Sequence, residues 1–139
     1  MSEEEKQLQD NLYEFRMLEG RLNEVSAQRE MLVRALIETR GGLTAIKGLD
    51  ILSSSEVLIP IGGGVFIDAK TPPSDKFLVG IGADVIVEKN REETLNYLED
   101  RIKEMENAVA GTDAHRSDLN NRMIVKREKI NELIKKQQG

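Results

Sequence analysis

Glu56-Val57-Leu58-Ile59-Pro60-Ile61-Gly62-Gly63-Gly64-Val65-Phe66, followed by Lys76-Phe77-Leu78-Val79-Gly80-Ile81-Gly82-Ala83-Asp84-Val85-Ile86-Val87-Glu88-Lys89, is the part of this 139-residue chain that decides its fold. All three prolines and five of the 11 glycines lie between residues 57 and 87. Ten of those 31 residues are Val or Ile, against four of the 39 between Leu8 and Ile46, so the chain reads helix, strands, helix. Glycine-bearing turns cut the middle into two hairpins. Val57–Ile61 and Val65–Lys70 flank Gly62-Gly63-Gly64, and Lys76–Ile81 and Asp84–Lys89 flank Gly82-Ala83, with residues 71–75 between the hairpins.

Working outward, each flank repeats apolar residues every 3.5 positions. Leu8, Phe15, Leu22, Arg29, Leu36 and Leu43 take the a positions of the first flank, and Asn11, Leu18, Val25, Leu32, Thr39 and Ile46 the d positions. In the second flank a is Leu95, Ile102, Val109, Arg116, Met123 and Ile130, and d is Leu98, Met105, Thr112, Leu119, Lys126 and Leu133. Nine of twelve are apolar in each flank, which makes a narrow seam that one partner helix covers. Arg29, Thr39, Thr112, Arg116 and Lys126 interrupt it and are expected to set register or weaken the coil. Ser2 with Glu5 and Asn90 with Glu93 have the spacing of a capping box, so the helices should begin near residues 3 and 91. The first should weaken at Gly41-Gly42 and end by about residue 53.

The seams are mirror-placed: Leu8 with Leu133, and Ile46 with Leu95, share one sum of residue numbers, 141, so folding about residues 70–71 makes an antiparallel helical hairpin. Charge agrees. Residues 1–20 carry six acids and two bases, residues 122–139 six bases and two acids, and antiparallel pairing brings these ends together. The expected fold is α+β, a single domain over 1–139: a coiled-coil helix in 1–53, two β-hairpins in 54–89 and a second coiled-coil helix in 90–139.

Composition excludes several functions. A net charge of −5 offers no basic field for nucleic acid or an anionic membrane, and the longest uncharged apolar run, Val57 to Ile67, is too short and too broken to span a bilayer. With no Cys there is no thiolate ligand, disulfide or cysteine nucleophile, and no signal peptide is legible; the expected location is the cytoplasm. Gly62-Gly63-Gly64 lacks the Gly-Lys-Ser/Thr of a phosphate loop, and Asp68, Asp75, Asp84 and Glu88 lack calcium-loop spacing. The single histidine, His115, falls at a g position and is expected to be a solvated surface residue. No catalytic, metal or cofactor site emerges.

Two surfaces do. The strands are apolar beyond what one chain can cover: Val57, Ile59, Ile61, Val65, Ile67, Val79, Ile81, Val85 and Val87 call for oligomerisation through the hairpins. At the end of the coil where the chain begins and ends, Leu12, Tyr13, Met17, Ile124, Val125 and Ile134 are large apolar residues off the seam, a pattern that marks an interaction surface. Leu8, Phe15, Met123, Ile130 and Leu133 are their seam neighbours and complete the candidate surface. Met31, Val33 and Ile37 are expected to pack under the strands.

The two glycine-rich strand motifs, set between long seam-bearing helices, resemble the alpha-class subunit of prefoldin over nearly the whole chain. Two hairpins rather than one place it with alpha. The resemblance implies a hexamer of two alpha and four beta-class subunits whose strands join in a double β-barrel. It also implies an ATP-independent holdase that captures non-native polypeptides at its coiled-coil tips and passes them to a group II chaperonin. The competing expectation is a structural or adaptor coiled coil whose tip binds one folded partner.

Overall fold

A computed structural model describes residues 2–139. The elements run α1 (Glu3–Gly48), β1 (Ser55–Gly62), β2 (Val65–Thr71), β3 (Lys76–Gly82), β4 (Val85–Asn90) and α2 (Arg91–Gln138). Both helices start where the capping signals lie. Ser2 Oγ accepts the Glu5 amide at 3.2 Å. Asn90 Oδ1 accepts the Glu93 amide at 2.8 Å, and Glu93 Oε1 accepts the Asn90 amide at 3.1 Å, a complete reciprocal box. The first helix runs through Gly41-Gly42 to Gly48, because a helical backbone tolerates glycine at a cost of only ~1 kcal/mol each. Beyond it Asp50 Oδ1 accepts the Leu52 amide at 2.9 Å and Oδ2 the Ser53 hydroxyl at 2.6 Å, a turn that leads the chain into β1.

The chain forms two compact units, residues 1–36 with 104–139, and residues 37–103. The first is a two-helix antiparallel coiled coil. Arg29 Nε donates to Asp113 Oδ1 at 2.5 Å, Lys126 pairs with Glu14, and the Arg127 guanidinium lies 5.7 Å from the Phe15 ring centroid. The numbers of these pairs add to 142, 140 and 142, the register expected from the seams. Every seam position in both units is buried or half-buried, including the polar ones. Val25, Leu36, Met105, Leu119, Met123, Ile130 and Leu133 form the most buried part of the first unit. Charged seam residues survive there by reaching the rim: Arg29 and Arg116 share Asp113, at 2.5 and 3.6 Å, while Arg116 Nε is buried without a partner.

The second unit holds the remaining helix ends and the hairpins, which are two separate two-stranded antiparallel sheets, β1–β2 and β3–β4. They share one plan, visible when Ile61-Gly62-Gly63-Gly64-Val65 is set on Ile81-Gly82-Ala83-Asp84-Val85. Gly62 pairs with Val65 and Gly82 with Val85, and each ladder slips by one residue just before, at Ile61 and Ile81. The central turn residues all have positive φ: Gly63 60°, Gly64 77°, Ala83 51° and Asp84 60°. A I′ hairpin turn needs positive φ at both central positions, because only that hand matches the twist of the strands. Asp84, expected in a strand, is therefore a turn residue, and the second turn is Ala83-Asp84.

Candidate functional site

At the end of the coiled coil that carries both termini, Met17 from α1 and Val125 from α2 face one groove. Its floor is Leu18 and Leu119, its walls Glu14, Arg21, His115, Asn121, Arg122 and Lys126, and its volume about 770 Å³. Heptad geometry explains the arrangement. Glu14, Arg21, His115 and Arg122 are g positions that flank the d residues Leu18 and Leu119, and Met17 and Val125 are the c residues just outside them. Met17 and Val125 are 59% and 63% exposed. Tyr13 lies one turn before Met17 and is exposed, while Ile124, a b residue, is exposed on the flank of α2 away from the groove. Leu12 and Ile134 occupy e positions, on the opposite flank of the seam, and are only just exposed. All six off-seam residues thus reach solvent, but in two groups on two flanks.

The seam members of the candidate surface are placed otherwise. Leu8 and Phe15 are half-buried, while Met123, Ile130 and Leu133 are buried between the helices and are not offered to a ligand in this state. His115, expected to be a solvated surface residue, is half-buried in the groove wall. Arg21 and Arg122 were not singled out from the sequence, although their g spacing beside the d residues marks them as groove walls. Arg21 NH1 is 3.9 Å from Glu24 and Arg122 Nε 3.1 Å from Asp118, both exposed pairs within one helix, whereas Lys126 is held by Glu14 and lies 3.4 Å from Asn11 Oδ1. The rest of the off-seam set differs from expectation. Met31 and Ile37 are exposed rather than packed under strands, since both lie off the seam, and only Val33 is half-buried.

The strand surface is uneven. In the first hairpin Val57 is half-buried, and Ile59, Ile61, Val65 and Ile67 are exposed. Leu58 and Phe66, on the other face, are exposed as well, so this hairpin is apolar and open on both sides. In the second hairpin Ile81 and Val85 are exposed and Val87 half-buried, but Val79 is only 8% exposed. Val79 therefore has cover inside its own chain, contrary to expectation. It lines a cavity of about 470 Å³ with Ile46, Thr94 and Leu98, and the Tyr97 hydroxyl donates to Gly80 O at 3.5 Å, tying β3 to α2. Lys89 and Arg101 lie 5.7 and 5.8 Å from the Tyr97 ring centroid and hold it in place. The outer face of this hairpin, Leu78 and Ile86, is exposed. Among the described residues no His, Asp and Glu cluster could hold a metal ion, and no helix is long and apolar enough to cross a membrane.

The family model for prefoldin subunits matches residues 4–136. A prefoldin subunit alpha from Nitrosopumilus maritimus is 32% identical over 134 residues, covering 96% of this chain and 92% of that one. Another from Pyrococcus horikoshii is 26% identical over 139 residues, covering 99% and 94%. Among solved structures, filamentous prefoldin from Methanocaldococcus jannaschii is 27% identical with a TM-score of 0.57, over 86% of this chain and 93% of that one. The prefoldin beta subunit of Thermococcus strain KS-1, 17% identical, shares the fold with a TM-score of 0.64 over 91% and 90%.

Proposed function

We propose, since the chain belongs to the prefoldin family, that it is the alpha-class subunit of a cytoplasmic, ATP-independent holdase. In this reading its hairpins join those of beta-class subunits in a barrel of two alpha and four beta chains. Its coil tip captures non-native polypeptides and passes them to a group II chaperonin. The observation that carries the capture step is the exposed pair Met17 and Val125 over the Leu18–Leu119 floor. Large exposed apolar residues clustered outside the seam mark an interaction surface, and a flexible methionine beside a branched valine accommodates many sequences. Capture draws on binding energy alone. One tip buries few side chains against a client that must be ordered, which suits a dissociation constant of about 1 mM to 1 μM, and several tips on one client raise avidity ~10²-fold or more.

The test is suppression of aggregation for several unrelated denatured proteins by the chain assembled with its beta-class partner, without nucleotide. Changing Met17→Asp together with Val125→Asp should leave the native mass unchanged and weaken protection in part, because the beta-class arms remain. Full protection by that variant removes the tip from the capture surface. Protection of one client alone favours the adaptor reading, and a requirement for ATP contradicts the holdase.

A further inference from the structure

The groove that holds Met17 and Val125 is not electrically neutral. Its walls carry three cationic side chains, Arg21, Arg122 and Lys126, against one carboxylate, Glu14, which is engaged by Lys126. That leaves two guanidinium groups at the rim of an apolar floor, one on each helix. Each has a single acidic neighbour outside the groove: Glu24 at 3.9 Å from Arg21, with side chains 62% and 73% exposed, and Asp118 at 3.1 Å from Arg122, 65% and 54% exposed. Exposed pairs of this kind are worth little, and a guanidinium has five donors, so neither neighbour uses up its arginine.

We infer that this groove selects non-native segments in which apolar residues are flanked by carboxylates. The inference rests on the capture reading and names the class of client it prefers. The apolar anchors of such a segment fill the space between Met17 and Val125, and the flanking carboxylates meet Arg21 on one side and Arg122 on the other. A segment flanked by lysines places like charges against the same two groups. Charge at a rim discriminates between partners more than it adds raw affinity, so the signature is a ratio rather than an absolute constant.

The experiment uses the full-length chain and three fluorescent peptides with the same apolar residues at the same positions, flanked by Glu, Gln or Lys, read by anisotropy. The Glu peptide should bind about tenfold tighter than the Lys peptide, with the Gln peptide between them, and the ratio should shrink as NaCl is raised to ~0.5 M. In the Arg21→Gln, Arg122→Gln double variant the Glu-to-Lys ratio should fall to about twofold or less. Binding of all three peptides with equal affinity, or a ratio the double variant retains, overturns the charge selection while leaving capture intact. Failure of every peptide to bind overturns the capture reading and this inference together.

Discussion

Replacing Ile59 and Val85 by Asp tests whether the hairpins hold the oligomer together. Ile59 is 43% exposed and Val85 47% exposed in the single chain, so each has about half of its surface left to bury in an assembly. Full burial of such a side chain contributes roughly 1.5–3 kcal/mol, which puts the part that assembly supplies at about 0.7–1.5 kcal/mol per residue. The larger effect is the charge. A carboxylate carried into a strand interface without a partner costs several kcal/mol more, so the double variant should lose at least ~4 kcal/mol of association, close to a thousandfold. Because both residues are already about half exposed in the chain itself, the substitutions should leave the helices formed. The assay is native mass after mixing with a beta-class subunit, read beside helical circular dichroism. Loss of the assembled mass at unchanged helicity is the expected result. Retention of that mass at micromolar concentrations would refute strand-borne assembly. Val79→Asp serves as the contrast: Val79 is buried within its own unit, so this variant should disturb the chain before any partner is added.

Three further outcomes follow from local geometry. Arg116→Leu removes a seam cation whose buried Nε has no partner and should raise the midpoint of thermal unfolding by a few degrees, equivalent to about 1 kcal/mol. Asn90→Ala removes the Oδ1 acceptor for the Glu93 amide, leaving only the bond from its own backbone amide to Glu93 Oε1, and should cost about 1 kcal/mol, read as a lower urea midpoint at unchanged slope. The Asp50 carboxyl is held below its ordinary value of 3.8 by the Ser53 hydroxyl and the Leu52 amide. A depressed carboxylate stabilises the turn above its unfolded value, and that contribution is lost as pH falls through the lower folded value. The Leu52 amide resonance should therefore titrate below pH 3.8 in wild-type protein and lose that transition in Asp50→Asn.

What the sequence determined by itself is everything with a short repeat. A coiled-coil seam is a 3.5-residue period, a cap is a three-residue spacing, and a hairpin is two β-branched runs about a glycine turn. Each is decided by neighbours along the chain, so the seam positions, the starts of both helices and the two hairpins were legible without a structure. Asp84 was misplaced because Gly82 looks like a turn residue, whereas its positive φ serves the bulge and the turn falls one residue later. The helix-to-helix register was also legible, because opposite end charges and mirrored seams admit one antiparallel pairing.

What only tertiary structure decided is which residues share a surface. Sequence spacing places Leu12, Tyr13, Met17, Ile124, Val125 and Ile134 off the seam. It does not say that Met17 and Val125 enclose one groove with Arg21 and Arg122 at its rim, while Leu12 and Ile134 lie on the other flank. Nor does alternation along β3 distinguish Val79, covered by its own helices, from Ile59, which has no such cover, because both read as apolar residues in apolar strands. The physical reason is that burial depends on which distant segment arrives opposite a residue. Here Tyr97 brings β3 onto α2, while both faces of the first hairpin keep exposed apolar residues.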